Sequence, residues 1–276
     1  MNKRSLFAIM RKDLKVCAEN KGVMIPIIVI PIVLFVILPW VIMMGPSWFG
    51  NSSVNIQSLV TQINHLVSTM PAAIQNQLDG HTATEQMSIF VLVYALAPMF
   101  LVLPLMISSV LAADSFAGEK ERKTVEALLY TPTTDRELFV AKLLGPWLAA
   151  ILISLLSFVL YMAMVDLSGW IVMKEILFPN LMWIALILWV SPAVAGLSLI
   201  AMVFVSARAQ GFQDAYQSGG LVVLPVLAMV AVQFTGVLFF TVWVVFILGL
   251  VFWILLAILL WLASKGFTRE QLMQKK

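Results

Sequence analysis

The chain has 276 residues, of which 62% are hydrophobic and only 11% charged, and its mean hydropathy is +1.00. An ordinary soluble domain carries roughly 25% charged residues, so composition excludes that class and places the chain in a bilayer. The formal net charge of +3 is small and stems from basic residues gathered in particular loops, so it gives no reason to expect a nucleic-acid partner.

Residues 1–22 read as an interfacial amphipathic helix. At helical spacing Leu6, Phe7, Met10, Leu14 and Cys17 share one face, and Arg4, Arg11, Lys12, Lys15 and Glu19 the other. Such a helix is expected to lie along the membrane, apolar side in lipid and basic side toward anionic headgroups. Cys17 is the single cysteine, which excludes an internal disulfide and a cysteine metal cage.

The first span is expected over residues 23–44, retained because the apolar run is too long for a signal peptide and lacks a small-residue cleavage pattern. Residues 45–87 form an extracytoplasmic loop without Lys or Arg. Within it Ile56, Leu59, Val60, Ile63, Leu66, Val67 and Met70 make an apolar stripe that stops at Pro71. This predicts a helix resting on the outer leaflet or capping the mouth of a pathway. His65 and His81 lie there with Asp79 and Glu85 but without metal-ligand spacing, so they read as solvated.

Further spans are expected at 88–113, 143–165 and 181–205, each long enough for the ~20 residues that cross a hydrocarbon core. They are joined by a charged cytoplasmic segment at 114–142 and an extracytoplasmic loop at 166–180. After a cytoplasmic loop at 206–218, the uncharged tract 219–263 is too long for one crossing. It is expected to fold as spans 219–235 and 237–263, meeting near Gln233 to Gly236, with a cytoplasmic tail at 264–276.

The fold class is therefore an all-α integral membrane protein with six transmembrane helices and an N-terminal interfacial helix. Of 17 basic residues, 16 fall on one side of these spans, with only Lys174 on the other. The positive-inside bias puts both termini in the cytoplasm. The spans, so bounded, contain no ionisable residue except Tyr, which argues against a self-powered pump. They do contain Pro26, Pro31, Pro39, Pro98, Pro104, Pro146, Pro192 and Pro225, each of which removes a backbone donor.

The charged segment has a defined grammar. Val125, Leu128 and Leu129 form a short apolar stripe in a helix over Glu119 to Tyr130, Glu119 and Lys123 form an i,i+4 pair, and Pro132 ends the helix at Thr131. Thr134 and Glu137 have capping-box spacing, which starts a second helix leading into the third span. At these residues the chain resembles the permease subunits of type-2 ATP-binding-cassette (ABC) exporters. Those proteins carry approximately E-x-E-x-G-T-x-E-x-L-L-x-T-P, followed by G-K-L-L. Glu119, Glu121, Thr124, Glu126, Leu128, Leu129, Thr131 and Pro132 match, as do Lys142, Leu143 and Leu144, whereas Lys123 and Ala141 replace glycines. A second stretch is similar to S-x-R and A-x-Q-x-S-G in that family, here Ser206, Arg208, Ala215, Gln217, Ser218 and Gly219, with Pro225 following.

The resemblance implies a permease that forms the substrate pathway of an exporter in a prokaryotic plasma membrane. It also implies a dimer with a second permease copy or paralogue. The segment at Glu119 to Pro132 would be a coupling helix docking on a cytosolic ABC ATPase, two per complex. The chain has no GxxxxGK[ST] motif, so ATP and Mg are expected on that partner, with no cofactor on this chain and no enzymatic activity of its own. The alternatives are an ATP-independent carrier or channel, or a membrane anchor for an ATPase that transports nothing.

Overall fold

A computed structural model describes residues 3–49, 68, 70–122, 135–209, 211–234 and 239–266. Among them every regular element is helical: α1 (Lys3–Glu19), α2 (Lys21–Gly45), a short α3 (Ala72–Leu78), α4 (Ala83–Glu121), α5 (Asp135–Val172), α6 (Leu181–Arg208), α7 (Phe212–Gln233) and α8 (Val242–Gly266). Six of these, α2 and α4 to α8, are long and apolar enough to cross a membrane. In lipid a chain must satisfy its own backbone groups, which is why long unbroken helices are the form these Leu-, Ile-, Val- and Phe-rich runs take. The stripe at residues 56–67 lies outside the described residues.

Polar caps set where several helices begin. Asn20 accepts a hydrogen bond from the Gly22 N–H and starts α2 after a single-residue break, and Asn180 does the same for α6 through the Met182 N–H. Thr82 and Glu85 exchange both bonds of a capping box at the start of α4. Nearby, His81 Nε2 lies 3.2 Å from Glu175 Oε2, so this histidine is paired rather than simply solvated.

α4 is the central helix, with α6 the next most enclosed, while α7 and α8 turn most of their apolar surface outward. The core around α4 is aromatic: Phe35, Phe100, Phe158, Tyr161, Phe178 and Trp183 meet mostly edge to face, with centroid separations of 4.9 to 6.2 Å.

The prolines explain most of the irregular turns. π-helical turns occur at Val33–Ile37, Phe90–Ala95 and Leu186–Val190. Pro39, Pro98 and Pro192 each stand four residues beyond a carbonyl in one of them, namely that of Phe35, Tyr94 and Leu188. A proline cannot donate to its i−4 carbonyl, and a widened turn is one way the helix adapts. In α4 the consequence is a row of carbonyls open to other helices. Tyr161 Oη donates to Leu92 O, Trp183 Nε1 to Val93 O at 2.7 Å, and Gln233 Nε2 to Tyr94 O at 2.6 Å. Thus α5, α6 and α7 each grip α4 at successive residues. A fourth π turn, Asp114–Gly118, has no such proline and lies at the end of the molecule where the basic residues gather.

Candidate functional site

The end of α4 does not become a loop at Ala113. The helix continues through Asp114–Gly118 to Glu121, carrying charged residues into a buried junction. Asp13, Asp114, Glu119 and Lys142 are at most 5% exposed. Burying isolated charges costs several kcal/mol each, so the arrangement depends on how they are paired.

One cluster joins α1, α4 and α5. Lys142 Nζ bonds Glu119 Oε2, donates to Ser115 O at 2.7 Å and lies 3.9 Å from Asp13 Oδ2. Ser115 Oγ donates to the same Asp13 oxygen at 3.0 Å. On the outer side Lys12 Nζ reaches Glu119 Oε1 at 2.6 Å and Asp13 Oδ1 at 3.5 Å. Among the described residues two carboxylates thus face two ammonium groups, and Lys142 also lies over the Phe116 ring. Burial pushes the Asp13 carboxyl above the ordinary carboxylate range, an effect that Lys142 opposes.

A second cluster is built on Asp114. Its carboxylate receives Arg122 Nη1 at 3.0 Å, Asn20 Nδ2 at 3.1 Å and the Cys17 thiol at 3.2 Å. Burial, followed by the neighbouring Asp114, raises the Cys17 thiol, which keeps it a hydrogen-bond donor rather than a thiolate. Gly118 leaves room for the ion pair, since a Cβ there would stand 3.0 Å from Asp114 Oδ1 and 3.1 Å from Arg122 Nη2.

A third set of contacts ties α4 to the turn between α6 and α7. Lys120 Nζ donates to Ala209 O at 3.0 Å, and Glu121 Oε2 accepts from the Phe212 N–H at 2.9 Å, capping α7. A Cβ on Gly211 would come within 2.7 Å of that Glu121 oxygen, so a larger residue there would push the Glu121 side chain aside.

Several expected features change against this geometry. The inward face of α1 is Ile9, Asp13 and Cys17, while Phe7 is exposed. Cys17 therefore belongs to the bundle-facing stripe, because α1 packs against neighbouring helices and not only against lipid. Gly145 receives that packing, with Met10 of α1 at 3.7 Å from the position of a Cβ. Residues 212–218, expected as loop, already form the start of α7.

Of the expected site residues, Glu119 and Glu121 sit at the centre of the first and third contact sets. Thr124, Glu126, Leu128, Leu129, Thr131 and Pro132 lie outside the described residues. Ser206 is buried with no hydrogen bond to its hydroxyl among the described residues, and Arg208 is exposed at the end of α6. Ala215 is fully buried and Gly219 abuts Met202 of α6, so these two small residues four apart let α7 cross close to the bundle. Gln217 is exposed. Sequence reasoning missed Asp13, Asn20, Asp114, Ser115 and Arg122. The available signal was Asp13, an acidic residue standing at i, i+4 spacing between Ile9 and Cys17.

The junction fixes the start of the charged segment to α1, α5 and the stretch between α6 and α7 at once. A family model described as "ABC-2 family transporter protein" matches residues 47–242. The comparisons with curated proteins and with solved structures find no match.

Proposed function

The chain belongs to the ABC-2 family of transporter proteins, and from that membership we propose that it is the permease subunit of an ABC exporter driven by a separate cytosolic ATPase. On this reading two ATPases bind ATP and Mg and close beneath a pair of permeases in a prokaryotic plasma membrane, the second permease being a copy or a paralogue. Residues 114–142, with Glu119, Glu121, Thr124, Glu126, Leu128, Leu129, Thr131 and Pro132, act as the coupling segment. Closure of the ATPases shifts the bundle between inward- and outward-facing forms by binding one form better than the other.

The observation that carries the reading is the buried ion-pair junction around Glu119. Any displacement of residues 123–134 by a docked partner meets α4 and α5 directly, because Glu119 and Lys142 bracket that segment and are bonded to each other. A solvated connector would have no need for carboxylates and an ammonium buried to this degree. Independent support is the absence of a phosphate-binding loop in the sequence, which assigns hydrolysis to another chain.

The test is co-purification of the protein with any ABC ATPase encoded beside it. The wild-type complex is expected to hydrolyse ATP faster than the ATPase alone, and Glu126→Ala and Leu128→Asp are expected to abolish that stimulation. Absence of a complex, or stimulation indifferent to both substitutions, refutes the assignment.

A further inference from the structure

We infer that the end of the molecule opposite the junction carries a binding site for a small organic cation. Its chemistry is an ammonium group beside a carbonyl and an apolar side chain, as in an amino-acid amide or the amino end of a short peptide. The inference goes beyond the proposed role in export and stands or falls on this chain alone, without any ATPase.

The site is a pocket of about 370 Å³ between α3, the first turns of α4 and the stretch that leads from α5 into α6. Small-molecule sites commonly measure about 300–1,000 Å³ and combine apolar walls with a few polar groups that fix orientation. Here Ile89, Val93 and Leu181 supply walls, and Gln77, Glu175 and Asn180 supply the polar groups.

The polar side of the pocket is held from behind. Asp166 Oδ1 accepts from the Leu177 N–H at 3.0 Å and the Phe178 N–H at 2.9 Å, which fastens the stretch after α5 to that helix. Gly169 lets the stretch lie close, since a Cβ there would stand 3.1 Å from Glu175 O. Gln77 Oε1 is bonded to Tyr94 Oη. Asn180 has its oxygen engaged by the Met182 N–H, so the group it has left to offer a ligand is the Nδ2 donor, which suits a carbonyl oxygen. Glu175 is exposed and meets His81 Nε2 at 3.2 Å through Oε2. A carboxylate has about four acceptor positions, so an ammonium group can share it with the histidine.

Charge selects a cation. In the sequence, residues 45–87 and 166–180 hold four carboxylates, Asp79, Glu85, Asp166 and Glu175, against one lysine, Lys174, although the whole chain carries a net +3. Cations are drawn to such an end and anions repelled. The pocket also rests on an irregular turn, because Val93 belongs to the π-helical turn Phe90–Ala95 of α4, and such turns are frequent at functional sites. The carbonyls of Val93 and Tyr94 are the ones held by Trp183 and Gln233. A seated ligand therefore bears on the place where α6 and α7 grip α4.

Titration calorimetry on the protein in phosphatidylcholine nanodiscs, with empty nanodiscs subtracted, tests this with L-phenylalaninamide. Saturable binding is expected. N-acetyl-L-phenylalaninamide, which lacks the charge, and glycinamide, which lacks the apolar group, are each expected to bind about fivefold more weakly or worse. Glu175→Gln is expected to weaken phenylalaninamide about fivefold. Asp79→Asn removes a carboxylate from the same end without touching the pocket, and is expected to change binding by less than about twofold. Phe-Gly-Gly-amide separates the two sources: binding at least as tight as that of phenylalaninamide assigns a peptide end, and weaker binding assigns a single amino-acid amide. No saturable binding, equal binding of the acetylated probe, or equal losses in Glu175→Gln and Asp79→Asn overturns the inference. The probe series uses the wild-type chain only, so it decides the matter even where a variant proves unstable.

Discussion

Asp13 shows how one side chain changes meaning when its surroundings are known. In the sequence it stands among Arg11, Lys12 and Lys15, with nothing to mark it as buried. In the fold it is buried, accepts from Ser115, and lies between Lys12, Glu119 and Lys142. Its carboxyl is pushed above 3.8, by burial first and by Glu119 as well, against the pull of Lys142 and Lys12. The native state therefore holds this proton more tightly than the unfolded chain does. The stability linked to it is fully present below the unfolded value and is lost as pH rises through the raised native one. Asp13→Asn removes that dependence and keeps an oxygen for the Ser115 hydroxyl. Thermal unfolding in detergent from about pH 4 to pH 7 should therefore show the melting temperature of wild type falling relative to the variant as pH rises. A gap that stays constant, or widens in favour of wild type, removes Asp13 from the account of the cluster.

At the scale of an element, α4 illustrates how a proline defect becomes a packing device. Pro98 has no N–H for Tyr94 O, and the Gln233 amide from α7 donates to that carbonyl instead. In an apolar interior an unpaired carbonyl costs about 1–3 kcal/mol, so Gln233→Leu should destabilise the protein by about that much. Pro98→Ala restores an i−4 donor and should make the loss of Gln233 smaller. The two substitutions are thus expected to be non-additive in a double-mutant cycle read from reversible unfolding in detergent. Strict additivity would mean that Gln233 stabilises α7 by something other than the Tyr94 carbonyl. The existence of these helices was legible in the sequence, because 20-residue apolar runs have few other solutions in a bilayer. Their ends were less so: α4 runs on to Glu121 and α7 begins at Phe212, since hydropathy marks where lipid stops and not where hydrogen bonding stops. The junction was hidden for a related reason. Glu119 and Glu121 were found through motif spacing, but the partners of Asp114 lie 94 and 97 residues away at Asn20 and Cys17. Polar residues that will be buried by a distant helix look, in one dimension, like polar residues left in water.

For the whole molecule, the distribution of charge decides orientation. Among the described residues, buried carboxylates and their cations are concentrated at one end, and in the sequence 16 of the 17 basic residues fall in the segments on that side of the spans. The opposite end keeps the His81–Glu175 pair, the Thr82 and Asn180 caps and the exposed Lys174. Basic residues in short loops are held on the cytoplasmic side during insertion, and on that rule we expect the junction, with Lys12, Arg122 and Lys142, to face the cytoplasm. The outward faces of α7 and α8, with Leu221, Leu224, Trp243 and Ile247 all more than half exposed, are stable only against lipid or another apolar surface. A bundle inserted in this sense has Lys174 outside the cell and Arg208 inside. Cysteines introduced singly, as Lys174→Cys and Arg208→Cys on a Cys17→Ala background, distinguish the two sides with a membrane-impermeant maleimide. Intact cells should label the first, and the second should react only after permeabilisation. The reverse pattern would place the junction and the 123–134 segment outside the cell, beyond reach of any cytosolic motor, and would remove the physical basis for coupling while leaving the six-helix fold intact.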